Sequence, residues 1–228
     1  AYFTPKAHEH SKRTDETDIV EAFKSEGYPF VSSASELRAA AESADTRRLF
    51  GLFNRTNIDG ALDRRVMKKG LVAKFPDQPD LTDQVKAALD VLKRNEDGFF
   101  LMVESGRIDK YSHALDWERS VYDTIMLDNA VKLAKAFAAP RAATLIIIVA
   151  DHAHPVSIVG VYDDAAEGQL LRDKLMVYEK AGFPAYPAPD ADGYPATVDV
   201  SRRLAFLFAA FPDHCDAGKP HKEGENTP

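Results

Sequence analysis

The chain has 228 residues, a mass of 25.2 kDa and 45% hydrophobic residues, which is enough to bury the core of one large domain. Its 36 acidic residues exceed its 29 basic residues and give a net charge of -7, which argues against a general affinity for nucleic acid phosphates. No apolar stretch reaches the roughly 18 to 20 residues that a membrane-spanning helix requires. Residues 1–5 have neither the charged start nor the apolar middle of a signal peptide, so we expect either that the protein is not exported or that its beginning is missing.

Helix and strand signals alternate from the start of the chain. Thr14 and Asp15 can cap a first helix, and Ser33 and Glu36 have the spacing of a capping box at the start of a second helix. The predicted order is a helix over residues 15–26, a short strand over 28–32, a helix from 33 to about 44 and a strand over 49–53.

A polar segment with basic pairs and no sustained period follows, which predicts an irregular surface crossover over about residues 60–80. From Leu81 onward, Val85, Ala88 and Leu92 have the spacing of an amphipathic helix. The segment over 95–98 is expected to end that helix.

Two apolar runs, over residues 99–103 and 144–150, have the character of buried parallel strands. A long helix is predicted between them over 117–138, since Pro140 cannot continue it. These elements form a strand, helix, strand unit with a right-handed crossover. The pattern predicts an α/β fold, a mainly parallel sheet flanked by helices on both faces, of which this chain is an incomplete part.

The last third of the chain gives weaker signals. We expect residues 1–211 to form a partial α/β domain and 212–228 a poorly packed polar tail. In that tail Cys215, the chain's one cysteine, is either a free thiol or paired with a partner outside these residues. The predicted elements are a helix over 167–180, a proline-rich loop over 184–195 and a helix over 199–210.

Charged and imidazole side chains follow each apolar run. Asp109 and His113 are four residues apart, so on a helical turn both can reach one point, and this pair makes half of a tetrahedral zinc site. Asp151 and His152 are adjacent where a strand gives way to a loop, so both can reach one cation. Glu104 follows five apolar residues, where an unpaired charge is costly and magnesium would stabilise it.

Each cluster also has an ordinary structural explanation. An adjacent aspartate and histidine are common in surface loops, Asp109 and His113 can form a salt bridge within one helical turn, and Glu104 can pair with Arg107 or Lys110. The joint pattern favours a metal site, because α/β sheets gather ligands at the carboxyl ends of neighbouring strands.

These motifs resemble the metal-binding half of the alkaline phosphatases. The resemblance rests on Glu-Ser-Gly-Arg-Ile-Asp-Lys-Tyr-Ser-His ending at His113, on Asp-Thr and Leu-Asp-Asn-Ala-Val over 123–131, and on Ala-Asp-His-Ala-His ending at His154. It covers about residues 1–154, and the double motif is highly specific. The later region is similar to bacterial members with weaker signatures.

The resemblance implies a role for seven side chains around two zinc ions and one magnesium ion. These are Asp109 and His113 for the first zinc, Asp151 and His152 for the second zinc, Glu104 for magnesium, Lys110 for a water-mediated phosphate contact, and His154 for orientation of Asp109.

The same resemblance implies that the intact parent protein hydrolyses phosphate monoesters. Two zinc ions about 4 Å apart stabilise the attacking and leaving oxygens, and a serine or threonine forms a covalent phosphoryl intermediate. The resemblance places this nucleophile and a bridging aspartate ahead of the matching region, and a further zinc-binding histidine after Pro228. Ser105, Ser112, His214 and His221 do not match these positions, so we expect the chain by itself to be inactive and to bind zinc weakly.

Two alternatives remain open. The chain can belong to a related metal-dependent phosphodiesterase or phosphomutase, although the position of Glu104 favours the three-metal monoesterases. It can also be a non-catalytic α/β binding domain. The resemblance further implies a small phosphate monoester as substrate, a homodimer, and export to the periplasm or the outside of the cell.

Overall fold

The computed structural model describes residues 2–9, 11–141, 143–154, 156–198 and 200–208. The chain divides into two compact units, one containing residues 1–106 and 126–146 and the other residues 107–125 and 147–228. The predicted tail and Cys215 lie outside the described residues. Among the described residues, no helix combines the length and the hydrophobicity that crossing a membrane requires.

The first unit alternates helices with short strands, as the α/β prediction requires. Between the second strand and the third helix, the expected crossover contains two short helical turns, over Asp63–Met67 and Leu71–Ala73. Its regular elements are α1 (Ile19–Ser25), β1 (Phe30–Val31), α2 (Ala34–Glu42), β2 (Phe50–Gly51) and α3 (Leu81–Leu92).

Side-chain caps fix where these helices begin. Ser33 caps α2 by accepting a hydrogen bond from the backbone N–H of Glu36, as its sequence spacing predicts. Asp80 and Asp83 form a reciprocal capping box at the start of α3, which satisfies two backbone donors that a helix start leaves unpaired.

Strands β1 and β2 pair in parallel, with Phe30 opposite Phe50. Behind them, buried aliphatic side chains of β1, α2 and α3 form one core cluster, which burial of apolar surface stabilises. The buried members are Val31, Leu37, Ala41, Ala87 and Val91, with Ala40, Leu49 and Phe53 packed against them.

Hydrogen bonds of Gln78, whose side chain is buried, stabilise the irregular crossover between β2 and α3. Its amide nitrogen donates to the carbonyl of Phe53 at 3.2 Å, and its amide oxygen accepts from Arg64 at 2.7 Å and from the backbone N–H of Asp59 at 3.2 Å. Arg64 also donates to the backbone carbonyl of Gln78. An irregular backbone needs such side-chain partners because it lacks a regular ladder of its own.

The second unit contains a three-stranded antiparallel sheet in the order β4, β3, β5. Gly160, in β3, has φ +151, and a Cβ there would lie 2.4 Å from the carbonyl oxygen of Met176, so the close approach of β4 requires glycine. The elements of this unit are α4 (Arg107–His113), the first part of α5 (Trp117–Ala138), β3 (Val156–Asp163), β4 (Leu175–Met176), α6 (Tyr178–Ala181) and β5 (Arg202–Phe208); α5 continues into the first unit from Met126.

The predicted strands over 99–103 and 144–150 are not formed as paired strands. Several of their apolar side chains are strongly exposed, with Phe100 88%, Leu145 83% and Val149 82% accessible. No described strand pairs with either run. A hydrophobic run indicates that its burial is favourable, but it does not specify which segment of the protein will bury it. In the described part of the chain, no segment buries these side chains.

The first helix begins later than predicted. Asp15 forms a two-point ion pair with Arg13, with N–O distances of 2.6 Å, and its carboxylate is therefore engaged there. Asp18 takes the capping role instead and accepts from the N–H of Glu21 at 3.0 Å. The local pattern identified a capping aspartate but selected the wrong one.

The two helices predicted near the C-terminus are wrong. The segment 167–180 contains a short helical turn over Leu171–Lys174, strand β4 and the start of α6. The segment 199–210 contains strand β5 rather than a helix. Both β4 and β5 pair with β3, and this non-local pairing overrides the local helical pattern.

Candidate metal centre

Helix α4 carries Asp109 in its first turn and His113 in its last turn. Residues four apart lie on the same face of a helix, and the two side chains do meet, with His113 Nε2 3.3 Å from Asp109 Oδ1. The spacing of the motif therefore predicted this contact correctly.

A buried serine on the same helix fixes its position. The hydroxyl of Ser112 donates to the carbonyl of Ile108 at 2.7 Å and lies 3.1 Å from the hydroxyl of Ser120 in α5. Leu115, in the turn between the two helices, has a φ of 56°. Sequence reasoning missed this hydroxyl link, because small polar residues eight positions apart have no distinctive pattern.

Two contacts fix the position of the first residues of α5. Asp116 accepts from the backbone N–H of Arg119 at 3.1 Å and so caps the helix. Trp117 stacks on Phe206 of β5, with ring centroids 4.6 Å apart, a contact that adds to the burial of both rings. The ligand-bearing helix α4 is therefore joined to an element that packs on the sheet.

Three imidazoles converge on a single oxygen of Asp109. The distances to Asp109 Oδ1 are 2.9 Å from His154 Nε2, 3.3 Å from His113 Nε2 and 3.5 Å from His152 Nε2. The rings of His113 and His154 meet edge to face at 4.7 Å, and those of His152 and His154 are 5.2 Å apart. Residues from two distant motifs thus share one carboxylate.

Within this cluster, three residues form the tightest group. The metal-binding atoms of Asp109, His113 and His154 all lie within 4.8 Å of one another. Their side chains are partly buried, with exposures of 31%, 29% and 20%. One carboxylate and two imidazoles are donors that zinc accepts, so the chemistry and the spacing of these residues fit a divalent cation.

The surroundings of Asp109 favour the ionised form of its side chain. Partial burial acts to raise its pKa, but the hydrogen bond from His154 and the nearby His113 and Lys110 lower the pKa below its ordinary value. A carboxylate that stays ionised keeps both oxygens available to a cation.

Lys110 faces the other oxygen of the same carboxylate. Its ammonium nitrogen is 3.6 Å from Asp109 Oδ2, and its side chain is 41% exposed. The water-mediated phosphate contact that the family resemblance implies for Lys110 stays a prediction.

Two predicted ligands are not among the three residues of the tight group. Asp151 is 89% exposed, and its Oδ2 is 3.5 Å from His152 Nε2. Glu104 belongs to the first unit and is exposed, and its carboxylate folds over Gly106, where an added Cβ would lie 2.9 Å from it. The expectation that burial makes an unpaired Glu104 costly is therefore wrong, because its charge is solvated.

Comparison with known proteins identifies the family. The family model described as alkaline phosphatase matches residues 2–181. The chain is 34% identical over 151 residues to the alkaline phosphatase of Escherichia coli (strain K12), covering 61% of this chain and 32% of that protein. It is 35% identical over 162 residues to alkaline phosphatase H of Pseudomonas aeruginosa, covering 65% and 34%.

Comparison with a solved structure also indicates the alkaline phosphatase family. The chain resembles the crystal structure of Thermus thermophilus alkaline phosphatase with a TM-score of 0.57 and 33% identity, covering 66% of this chain and 30% of that chain. The matching region spans about a third of the length of these relatives. The α/β fold class inferred from the sequence is thereby confirmed, and the chain belongs to the alkaline phosphatase family.

Proposed function

We propose that this chain supplies the metal-binding part of an enzyme that hydrolyses phosphate monoesters. The observation that carries the proposal is the convergence of three imidazole nitrogens on the carboxylate of Asp109, at 2.9 to 3.5 Å. Neutral imidazoles and a carboxylate gathered at one point are typical of a catalytic zinc site.

The proposal assigns five ligands to three cations. Asp109 and His113 would hold one zinc ion, Asp151 and His152 a second, and Glu104 a magnesium ion. When bound, such cations supply electrostatic stabilisation to the oxygens of a phosphoryl group in an in-line displacement. The lowered pKa of Asp109 supports its part in this set, because a ligand carboxylate must be deprotonated.

The protein's own groups orient the substrate and set the charge around it. The ammonium of Lys110 lies beside Asp109 at 3.6 Å and is proposed to attract the phosphate oxygens as a point charge, through water. His113 must present an unprotonated Nε2 to bind a cation, so its ring proton would reside on Nδ1.

The activity is proposed for the whole protein, in which these residues act together with a nucleophile that forms a phosphoryl intermediate. We also propose that the substrate is a small phosphate monoester, that the intact protein forms a homodimer and that it is exported from the cytoplasm. Family membership supports these three points, and cell fractionation with light scattering would test the last two.

The decisive experiment compares metal-dependent turnover of 4-nitrophenyl phosphate by the intact parent protein and by its Asp109→Asn variant. We expect turnover that chelation abolishes and zinc with magnesium restores, and a loss of at least about 100-fold in kcat/KM in the variant. Turnover that survives both chelation and the substitution would overturn the proposal.

Two matched measurements separate the alternatives. A related phosphodiesterase would hydrolyse bis(4-nitrophenyl) phosphate faster than the monoester, whereas the proposal expects the reverse. A non-catalytic binding domain would show no metal-dependent hydrolysis of either ester.

A further inference from the structure

We infer that the hydroxyls of Ser112 and Ser120 act as a positioning pair, which holds helix α4 in the orientation that lets Asp109 and His113 bind one cation. The inference deepens the proposed function and rests on it, because it concerns the same cation site. Neither serine is a ligand in this scheme, and both act through the helix that carries the ligands.

The pair is a short chain of hydrogen bonds between two helices. The hydroxyl of Ser112 in α4 donates to the carbonyl of Ile108 at 2.7 Å, and its oxygen lies 3.1 Å from the hydroxyl oxygen of Ser120 in α5. A hydroxyl has a single proton, and that of Ser112 goes to Ile108, so Ser120 is the donor between the two hydroxyls. The chain of donors therefore runs from Ser120 through Ser112 to Ile108.

The pair contacts α4 beside both ligands. Ile108 immediately precedes Asp109, and Ser112 immediately precedes His113. The hydroxyl oxygen of Ser120 also lies 3.4 Å from the carbonyl oxygen of Ile108. A shift of α4 at this contact would therefore move both ligand side chains.

Helix α4 depends on such a contact because it is short. It has seven residues, and a helix of this length has little stability of its own in water. Leu115, in the turn that leads to α5, has a φ of 56°, which non-glycine residues rarely adopt. The side chain of Ser112 is 8% exposed, so its hydrogen bonds are shielded from water.

A competing account assigns the hydroxyl of Ser120 to its own helix. Its oxygen lies 3.0 Å from the carbonyl oxygen of Asp116, and serines within helices commonly donate to the carbonyl four positions earlier. In that case Ser120 would not hold α4. The two accounts differ in what removal of each hydroxyl, alone and together, does to the cation site.

The test is a calorimetric zinc titration of the 228-residue chain and its variants. We expect Ser120→Ala to lower the zinc affinity about 10-fold, the lower end of the range for groups that orient ligands. Ser120→Thr keeps the hydroxyl donor and should stay within about threefold of wild type.

The matched control is Thr124→Ala. Thr124 is exposed, lies one turn further along α5 and donates its hydroxyl to the carbonyl of Ser120 at 2.8 Å. The control therefore removes a hydroxyl bond within α5 that does not involve α4, and it should change the zinc affinity less than about twofold.

A double-mutant cycle tests whether the two hydroxyls act as a unit. Ser112→Ala alone should lower the zinc affinity about 10-fold. If the hydroxyls are linked, the double variant should lose about 10- to 20-fold rather than the roughly 100-fold product of two independent losses.

Urea denaturation of each metal-free variant separates positioning from stability. The variants are expected to fold, because the backbone N–H of Asp116 donates to the carbonyl of Tyr111 at 2.9 Å and the guanidinium of Arg119 lies 5.8 Å from the centre of the Tyr111 ring. A hydroxyl with a purely structural role would lower the urea midpoint and leave the zinc affinity of the folded chain unchanged. If Ser112→Ala does not fold, the comparison of the Ser120 variants with Thr124→Ala decides.

Four results would overturn the inference: equal zinc affinities in Ser120→Ala and Thr124→Ala, a Ser120→Thr variant as weak as Ser120→Ala, independent losses in the double variant, or no zinc binding by the wild-type chain. If one of these is found while the parent protein shows zinc-dependent ester hydrolysis, the inference fails and the proposed function stands. If the affinities change as expected but the parent protein does not hydrolyse esters, only the proposed function fails.

Discussion

His154 Nε2 lies 2.9 Å from Asp109 Oδ1, although the two residues are 45 positions apart in the chain. The contact joins helix α4 to the segment that precedes strand β3. A hydrogen bond to an ionised group is stronger than one between neutral groups, so this contact both orders the two motifs and keeps Asp109 ionised. Two clusters that are separate in the sequence thereby become one candidate site.

Asp109→Asn in the 228-residue chain tests whether this carboxylate organises the site. The amide cannot supply the negative charge that the imidazoles and Lys110 surround, so we expect zinc affinity to fall at least about 100-fold. Asp45→Asn is the control, because Asp45 is exposed and takes no part in the proposed metal sites, and it should change the zinc affinity less than about fivefold. Calorimetric titration measures both, and equal losses in the two variants would contradict the central role of Asp109.

The predictions from sequence succeeded where the information was local. Helix α3 begins at Leu81 and ends at Leu92, because its apolar spacing and its caps all lie within a few residues. The contact between Asp109 and His113 was predictable for the same reason, since helical geometry alone brings residues four apart together. The motif spacing also identified the family.

The failures occurred where distant segments decide the structure. Strand β5 was predicted as a helix, and it is a strand because Arg202–Phe208 pair with β3, from Asp163 opposite Arg202 to Val156 opposite Phe208. The exposure of Phe100 and Leu145 was also not predictable, since an apolar run does not specify which segment will pack on it. The meeting of His154 with Asp109 was implied by family resemblance and by nothing in its local sequence.

Gln78→Leu tests the buried amide that holds the crossover. The substitution leaves the carbonyl of Phe53 without its side-chain donor and the guanidinium of Arg64 without its amide acceptor. We expect the free energy of unfolding to fall by about 2–3 kcal/mol. The control is Gln84→Leu, at a half-buried position with a single amide contact, to Asp80, and it should change the free energy of unfolding by about 0.5 kcal/mol or less. Urea denaturation measures both, and similar values would argue against the network.

Gly160→Ala tests the close approach of β3 and β4. An added Cβ would lie 2.4 Å from the carbonyl oxygen of Met176, and the φ of +151 also disfavours alanine. We expect the free energy of unfolding to fall by at least about 2 kcal/mol. Gly98 has a φ of +89 with nothing within 4 Å of its Cβ position, so Gly98→Ala isolates the backbone effect and should lower this free energy by about 1 kcal/mol. If thermal unfolding shows the same loss of stability in both variants, the contact of the added Cβ with Met176 makes no contribution.

Glu118 provides a prediction for the dependence of stability on pH. Burial raises the pKa of its carboxyl, and the attraction of Arg203, 4.0 Å away, does not offset that effect. The folded state therefore binds a proton more tightly than the unfolded state, and stability is highest below the ordinary pKa of glutamate, near 4.5. As the pH rises from there through the folded-state pKa, the unfolded state loses its proton first and this contribution to stability is lost.

Glu118→Gln removes the ionisation and should therefore remove this pH dependence. Relative to wild type, the variant should be more stable at pH 7 than at pH 4, because the buried wild-type carboxyl is charged only at the higher pH. Denaturation curves at several pH values between 4 and 7 would measure the difference. Glu26→Gln is the exposed control and should leave the pH dependence unchanged. If the advantage of Glu118→Gln over wild type were larger at pH 4 than at pH 7, the ion pair with Arg203 would outweigh burial, and the sign of the pKa shift would be wrong.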